Sequence, residues 1–347
     1  MKKTVFVIGA GASKEVGLPV GAELKRIISD SLNIRFEHFS QQVGGDFEIT
    51  HALRVLVEGN TPPSRDINPY LKEAHKIREG MPLAISIDNF IDIHSGNELL
   101  EICGKLAIVS SILNAENKSK LQVDRTLADA TVNFSKIEDT WYTTFFQLLT
   151  ENCRRKDLAK RLSLVVLVIF NYDRCFEQFL VSALRKTYFL TDVEAKSYLK
   201  LVKIFHPYGS VGSSNDWGTP QGVDFGTKPD ARNLITIAKQ IKTFTEGKNE
   251  DASEIVELRE HVRSAPRVVF LGFAYHRLNI DLLAPKELNF NDLNQEVYGS
   301  ALAISDSDKS KITALLKNRL GANSVLLRND LTCAGLLNEY RRSLSMV

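Results

Sequence analysis

Residues 4–8, TVFVI, form an apolar and largely β-branched run that ends directly at Gly9. Such a run is typical of a strand that is buried on both faces of a parallel sheet. Beyond the glycine turn, residues 22–32 carry apolar side chains at helical spacing, including Leu24 and Ile28. This succession predicts a strand, a glycine loop and a helix, in that order.

Apolar runs recur later in the chain and alternate with helical patterns, which indicates an α/β fold with a parallel sheet. Further strands are predicted at residues 162–170, 201–205, 267–271, 301–304 and 324–327. Helices are predicted at residues 98–115, 141–150, 177–185, 251–263 and 306–318.

Helical stretches dominate residues 33–160, where little β-branched alternation occurs. We therefore expect a single domain over residues 1–347. Its Rossmann-like part, a parallel sheet flanked by helices, is expected to comprise residues 1–32 and 161–347. Residues 33–160 are expected to form a helical insertion subdomain.

The composition is that of an ordinary globular protein, with 44% hydrophobic and 25% charged residues. A net charge of +2 is too close to neutral to indicate nucleic acid as the main partner. The four cysteines form no C-x-x-C pair, which argues against a zinc module. No apolar stretch approaches the roughly 20 residues that a membrane span requires, so we expect a cytoplasmic protein.

The sequence GAGAS at residues 9–13 lies between the first strand and the first helix. Glycines at this position allow the backbone to approach a pyrophosphate, and a helix N-terminus supplies N–H donors. A dinucleotide dehydrogenase would carry a third glycine where this chain has Lys14, and an acidic residue closing a second strand. The loop therefore indicates a phosphate-bearing nucleotide without hydride transfer, or else a tight turn that binds no ligand.

Polar residues and glycines follow three further predicted strands. Asn171 and Asp173 follow one of them, where their side chains could bind ribose hydroxyls or hold a water. Taken alone, this pattern favours the other interpretation, in which Asp173 caps the next helix. His206 follows the next strand, and Gly272 and Phe273 follow the third. Because the carboxyl ends of parallel strands meet at one edge of a sheet, these residues are candidates for one site.

These motifs, in this order, resemble the sirtuin family. They resemble more closely the sirtuin-like NAD-hydrolysing effectors of prokaryotic anti-phage defence, in which GAGAS-x-x-x-GLP, here residues 9–19, and FNYD, here residues 170–173, recur in nearly this form. The motifs frame the whole Rossmann-like part. The insertion carries little of the resemblance apart from S-I-D-x-F at residues 86–90.

The resemblance implies roles for individual residues. Asn171 and His206 take the places of the catalytic asparagine and histidine. The implied cofactor-binding residues are Gly9, Ala10, Gly11, Ala12, Ser13, Asp173, Gly209, Ser210, Gly272 and Phe273. Asn171 would supply a dipole for an oxocarbenium-like ribose and order a water, and His206 would act as the base.

The expected activity is that of an NAD glycohydrolase, which releases nicotinamide and ADP-ribose. The chain lacks the cysteine pairs of zinc-containing deacylases, which favours water as the acceptor and predicts no metal. Two alternatives stay open: an NAD-dependent deacylase or ADP-ribosyltransferase, and a non-catalytic sensor of NAD or ADP-ribose.

An enzyme that destroys NAD has to be restrained in its own cell. We therefore expect a homo-oligomer, a regulatory partner protein of a defence system, or both. The insertion and the polar loop at residues 210–227, a candidate mobile cover, are the expected contact regions. Asp88 and His94 lie in the insertion, where a structural or capping role is expected and contact with the cleft is the alternative.

Overall fold

The computed structural model describes residues 2–38, 41–59, 63–123, 131–219, 222–243, 253–285 and 295–347. Its strands are β1 Thr4–Ile8, β2 Arg35–Glu37, β3 Gln41–Gly44, β4 Val165–Ile169, β5 Lys203–Phe205, β6 Arg267–Leu271, β7 Glu296–Ser300 and β8 Ser324–Arg328. Six of these form one parallel sheet, in the order β5-β4-β1-β6-β7-β8, whereas β2 and β3 pair as a separate antiparallel hairpin.

Strand β1 lies inside the sheet, and the later strands are added first on one side of it and then on the other. The chain moves from β1 outward to β4 and β5, then returns across the sheet to β6, β7 and β8. This is the strand order 3-2-1-4-5-6 of doubly wound dinucleotide-binding folds, in which ligands bind where the order reverses. The α/β class and the Rossmann-like parallel sheet expected from the sequence are therefore confirmed.

The observed strands match most of the predicted ones. Strands β1 and β6 have the predicted bounds, and β4, β5 and β8 overlap their predicted positions. The strand predicted at residues 301–304 is wrong, because β7 ends at Ser300 and a turn follows in which Ala303 has a φ of 66°. A positive φ cannot belong to a strand.

The helices lie on both faces of the sheet. They are α1 Ala10–Lys14, α2 Gly21–Ser31, α3 Phe47–Glu58, α4 Asn68–Gly80, α5 Ile87–Ile93, α6 Glu98–Lys118, α7 Trp141–Thr150, α8 Leu158–Leu162, α9 Cys175–Tyr188, α10 Asp192–Leu199, α11 Ala231–Ala238, α12 Ser253–Ser264, α13 Arg277–Leu283, α14 Asp306–Leu320, α15 Cys333–Glu339 and α16 Arg341–Leu344. The predicted helices all correspond to members of this set, although residues 251–252 of one prediction lie outside the described residues.

Alternate residues of each central strand enter two different cores. Val5 and Val7 of β1 pack with α2 to α6 and with α11 to α14, whereas Phe6 and Ile8 pack with α7, α9 and α15. The buried residues of the insertion from Ile34 to Leu113 belong to the cluster on one face of the sheet, whereas those from Leu121 to Leu158 belong to the cluster on the other face. Helix α6 is buried along most of its length and lies at the centre of the first of these clusters.

Residues 33–160 are mainly helical, as expected, but they also contain the β2–β3 hairpin, which the sequence analysis did not predict. The loop at residues 210–227 is packed against the protein in its described part. Val211, Trp217 and Val223 are buried there. The expected role of the loop as a mobile cover stays a prediction; residues 220–221 of the loop lie outside the described residues.

The glycine loop after β1 lies directly against the end of β6. The N–H of Gly9 donates to Leu271 O and that of Gly11 to Gly272 O, both at 2.9 Å. A Cβ atom on Gly9 would lie 2.5 Å from Gly272 O, and one on Gly272 would lie 2.0 Å from the Ala12 nitrogen. Only glycines allow this approach of two backbones, so they are required here whether or not a ligand binds.

Gly272→Ala should lower the free energy of unfolding by about 3 kcal/mol, because overpacking adds to the strain of its φ of 57°. Gly17→Ala is the matched control, since Gly17 has a φ of 98° and no atom near its Cβ position. Its loss should be about 1 kcal/mol, from backbone strain alone. Urea denaturation measures both values, and equal losses would contradict the proposed close contact.

Candidate functional site

The residues proposed for the site meet at the carboxyl edge of the sheet. Strands β4, β1 and β6 end in register, because Ile8 pairs with both Ile169 and Leu271. The predicted residues that are partly exposed at this edge are Ala10, Gly11, Asn171, His206, Gly209, Ser210 and Gly272. The remaining ones are buried beneath it, namely Gly9, Ala12, Ser13, Asp173 and Phe273.

Several backbone N–H groups of the glycine loop donate hydrogen bonds within the protein. The N–H of Gly11 donates to Gly272 O, and that of Ala12 donates to Gly9 O at 3.0 Å. The loop predicted at residues 9–13 is itself largely helical, because Ala10–Lys14 form α1, which is only five residues long. With the Gly9 N–H, which donates to Leu271 O, three amides of the predicted pyrophosphate loop are thus occupied, and a bound pyrophosphate would need other donors or a rearranged loop.

Ser13 joins the glycine loop to the residues after β4. Asn171 Nδ2 donates to Ser13 Oγ at 3.1 Å. Ser13 also hydrogen-bonds the Asp173 carboxyl, whose second contact is with the backbone N–H of Cys175 at 3.1 Å from Asp173 Oδ1. Asp173 thus lies one residue before Arg174, the N-cap of α9, and accepts from the N–H of the first residue of that helix. Its predicted contact with a nucleotide stays a prediction.

Little solvent reaches this network, because Asp173 is buried. Burial raises the pKa of Asp173 above its ordinary value, the hydrogen bonds from Ser13 and Cys175 oppose the rise, and the nearby charge of Glu177 adds to it. Asp173 and Ser13 thus form a buried support for the Asn171 side chain, which is itself partly exposed at the edge.

His206 is held between two acceptors. Its Nε2 lies 2.9 Å from Glu177 Oε1, and its Nδ1 lies 3.4 Å from the backbone oxygen of Asn171. Burial lowers the pKa of His206, but the charge and hydrogen bond of Glu177 raise it, and the net pKa lies above the ordinary value. The Glu177 carboxylate therefore favours the imidazolium form of His206. The role of His206 as the base stays a prediction.

Glu177 was not recognised as a site residue from the sequence. It lies in the first turn of α9, and its side chain is only 5% exposed. The sequence did offer an indication that Glu177 is buried, because Glu177 stands between Phe176 and Phe179 in a predicted helix. A carboxylate in such a position is seldom buried without a partner.

The turn after β5 closes one side of the edge. The N–H of Val211 donates to Tyr172 O at 2.8 Å, which ties the turn to the Asn-Tyr-Asp sequence. A cavity of about 620 Å³ opens beside it, and its lining includes Glu177, His206, Gly209, Ser210 and Gln240. Asn171 and the glycine loop lie outside that lining. The turn therefore brings Gly209 and Ser210 beside His206 on the side away from the glycine loop.

Aromatic residues fill the space below the edge. The Phe273 ring lies 5.2 Å from that of Phe170, and Phe170 in turn lies 5.7 Å from Tyr208. Tyr208 donates its hydroxyl to the buried Asn279 Oδ1 at 2.6 Å. Asn279 is therefore a buried hydrogen-bond partner within α13, and Phe273 is part of the core under the site.

Asp88 and His94 have different surroundings. Tyr172 donates its hydroxyl to Asp88 Oδ1 at 2.5 Å, so the insertion contacts the Asn-Tyr-Asp sequence directly. Burial raises the pKa of Asp88, and the hydrogen bond from Tyr172 opposes the rise. His94 Nδ1 contacts Phe90 O at 2.8 Å at the end of α5, which fits a structural role.

A buried ion pair lies immediately behind the site. Arg174 and Glu116 have no exposed side-chain surface, and Arg174 Nη2 lies 2.5 Å from Glu116 Oε2. Glu116 also accepts from the backbone N–H of Arg174 at 3.0 Å and from that of Gly226 at 3.3 Å. Arg174 further donates to Val223 O. The pair thus joins α6, the start of α9 and the loop at residues 222–226.

No protein-family model matches this chain, and no curated protein matches it. The resemblance to sirtuin-like effectors therefore rests on the motifs themselves. Among the described residues, no helix combines the length and the apolar character needed to cross a membrane. In that same part of the chain, no three His, Cys, Asp or Glu side chains are grouped as metal ligands would be.

Arg174→Leu should lower the free energy of unfolding by about 3–5 kcal/mol, because it leaves the Glu116 carboxylate buried without a counter-ion. The double variant Glu116→Leu/Arg174→Leu should be more stable than Arg174→Leu alone. Urea denaturation of both variants and of Glu116→Leu measures the coupling. Strictly additive losses would show that the two charges do not stabilise each other.

Proposed function

We propose that this chain binds NAD at the carboxyl edge of its sheet and hydrolyses it to nicotinamide and ADP-ribose. The observation that carries the proposal is the convergence of Asn171 and His206 at adjacent strand ends. They lie beside the glycine loop at residues 9–13, in a sheet that has the strand order of dinucleotide-binding folds.

The reaction breaks the bond between the ribose C1′ and the nicotinamide nitrogen. The electron pair leaves with the nicotinamide ring, and positive charge develops on the ribose carbon. Asn171 is oriented through its Nδ2 by Ser13, so its side-chain oxygen is left for the developing charge or for the attacking water. The water oxygen then bonds to C1′ while His206 takes its proton.

Asn171→Ala and His206→Ala should each reduce nicotinamide release from NAD on the order of 10²-fold. Asn338→Ala and His51→Ala are the matched controls, because both residues are exposed on other helices. Liquid chromatography of the products gives the rates. Wild-type protein that binds NAD tightly, yet leaves it intact in its active assembly, would exclude the hydrolase.

A second candidate is transfer of ADP-ribose to an acceptor other than water. The cavity beside His206 favours it, since about 620 Å³ is more space than one attacking water needs. NAD consumption that occurs only when a peptide or protein acceptor is added would identify this activity. If the Asn171 and His206 variants kept full biological output, a non-catalytic nucleotide sensor would be the better description.

We also propose that the chain is restrained by oligomerisation or by a partner protein. Three apolar side chains of the insertion, Leu83, Ile85 and Ile93, are strongly exposed, and such residues are candidates for a protein contact. Replacing all three by serine should release a monomer or a dissociated partner in size-exclusion chromatography. A wild-type protein that is monomeric and freely active would rule out restraint by oligomerisation or by a partner.

A further inference from the structure

The Glu177 side chain is placed to act on His206 and on little else. Its Oε1 lies 2.9 Å from His206 Nε2. Its Oε2 is buried, and within the described part of the chain it accepts no hydrogen bond. A buried carboxylate oxygen without a donor is costly, so this carboxylate is not explained by its packing in α9 alone.

The other charged groups around His206 do not replace Glu177. Asp173, from the loop after β4, adds a negative charge but contacts Ser13 and Cys175. Lys200 and Lys203 line the same cavity and are exposed at its margin, and Lys203 pairs with Glu257 at 2.7 Å. Glu177 is therefore the group that contacts the imidazole directly.

The two contacts of His206 differ in strength, and the difference decides which proton leaves first. A carboxylate at 2.9 Å from Nε2 forms a short, charge-assisted hydrogen bond, whereas 3.4 Å from Nδ1 to the Asn171 oxygen is a weak contact. The proton on Nδ1 is thus lost first, and the neutral ring keeps its proton on Nε2.

We propose that Glu177 is the positioning residue of His206: it fixes the Nε2–H tautomer and so makes Nδ1 the nitrogen that accepts the proton. In the proposed hydrolysis, the water proton moves to Nδ1 as the new C1′–O bond forms, and the resulting imidazolium is stabilised by the Glu177 carboxylate. The kinetic part of this inference rests on the proposed function, but the tautomer and the titration of His206 do not.

The first test is the titration of the His206 ring by nitrogen-15 NMR, with its signal assigned from its loss in His206→Ala. Wild-type His206 should keep its second proton to a pH above 6.5 and then carry the remaining proton on Nε2. Glu177→Gln should shift this titration to lower pH, because burial is then less strongly opposed. Glu177→Asp should restore part of the shift, because it keeps the charge.

Glu48→Gln is the matched control, because Glu48 forms an exposed pair with His51 at 3.8 Å on α3, away from the site. It should leave the titration of His206 unchanged. A wild-type His206 with its single proton on Nδ1, or an identical titration in Glu177→Gln, would overturn the inference. The wild-type result is decisive even if Glu177→Gln does not fold, which circular dichroism reports.

The second test is the pH dependence of nicotinamide release. The rate should rise with pH through the pKa of His206, because the neutral ring is the base. In Glu177→Gln the rise should move to lower pH, and the plateau of kcat should fall on the order of 10²-fold with little change in KM. An unchanged profile would refute the role of Glu177 and leave the hydrolase intact. The expected titration in a protein that cleaves no NAD even in its active assembly would refute the hydrolase instead.

Discussion

The arrangement of the site depends on the buried ion pair between Arg174 and Glu116. A charge in the protein interior is tolerated only with a partner and with further hydrogen bonds, so the segments that carry these groups have to be buried together. Glu116 also accepts from the backbone N–H of Arg174, which directly follows the Asn-Tyr-Asp sequence. Helix α6 of the insertion therefore fixes the backbone on which Asn171 stands, although the insertion supplies neither of the proposed catalytic side chains. The hydrogen bond from Tyr172 to Asp88 of the same insertion also holds this segment of backbone in place.

The sheet and its functional edge could be predicted because both depend on local sequence. A strand buried on both faces has to be a short apolar run, and β1 and β6 are such runs with the predicted bounds. The polar residues that follow such strands then share an edge by geometry alone. The same criterion misplaced β7, which carries Glu296, Gly299 and Ser300 in its five residues and is less apolar than the run after it. Ser300 is part of the strand because of a contact between residues far apart in the sequence: its Oγ accepts a hydrogen bond from the N–H of Gly272.

The contacts that set the chemistry could not be predicted, because they join residues whose sequence separation carries no information about distance. A glutamate in the first turn of a helix ordinarily faces solvent, and only the packed structure turns Glu177 toward His206. The raised pKa of His206 follows from that contact and not from any motif. The β2–β3 hairpin was missed for a different reason. Its strands, RFE and QQVG, are short and mostly exposed, so they show neither an apolar run nor a clear alternation.

The central position of β1 has a consequence for how the chain is made. Thr4 pairs with Val165 on one side and with Arg267 on the other, so both edges of β1 stay open while most of the chain is still being synthesised. Pairing over such sequence distances is slow, because the entropy of closing long loops is lost before the contacts form. Until then the apolar strand is free to pair with other nascent chains. The vulnerable state of this protein is therefore the unfinished chain on the ribosome, and folding helpers that shield an early apolar segment would matter more to its yield than the stability of the completed sheet.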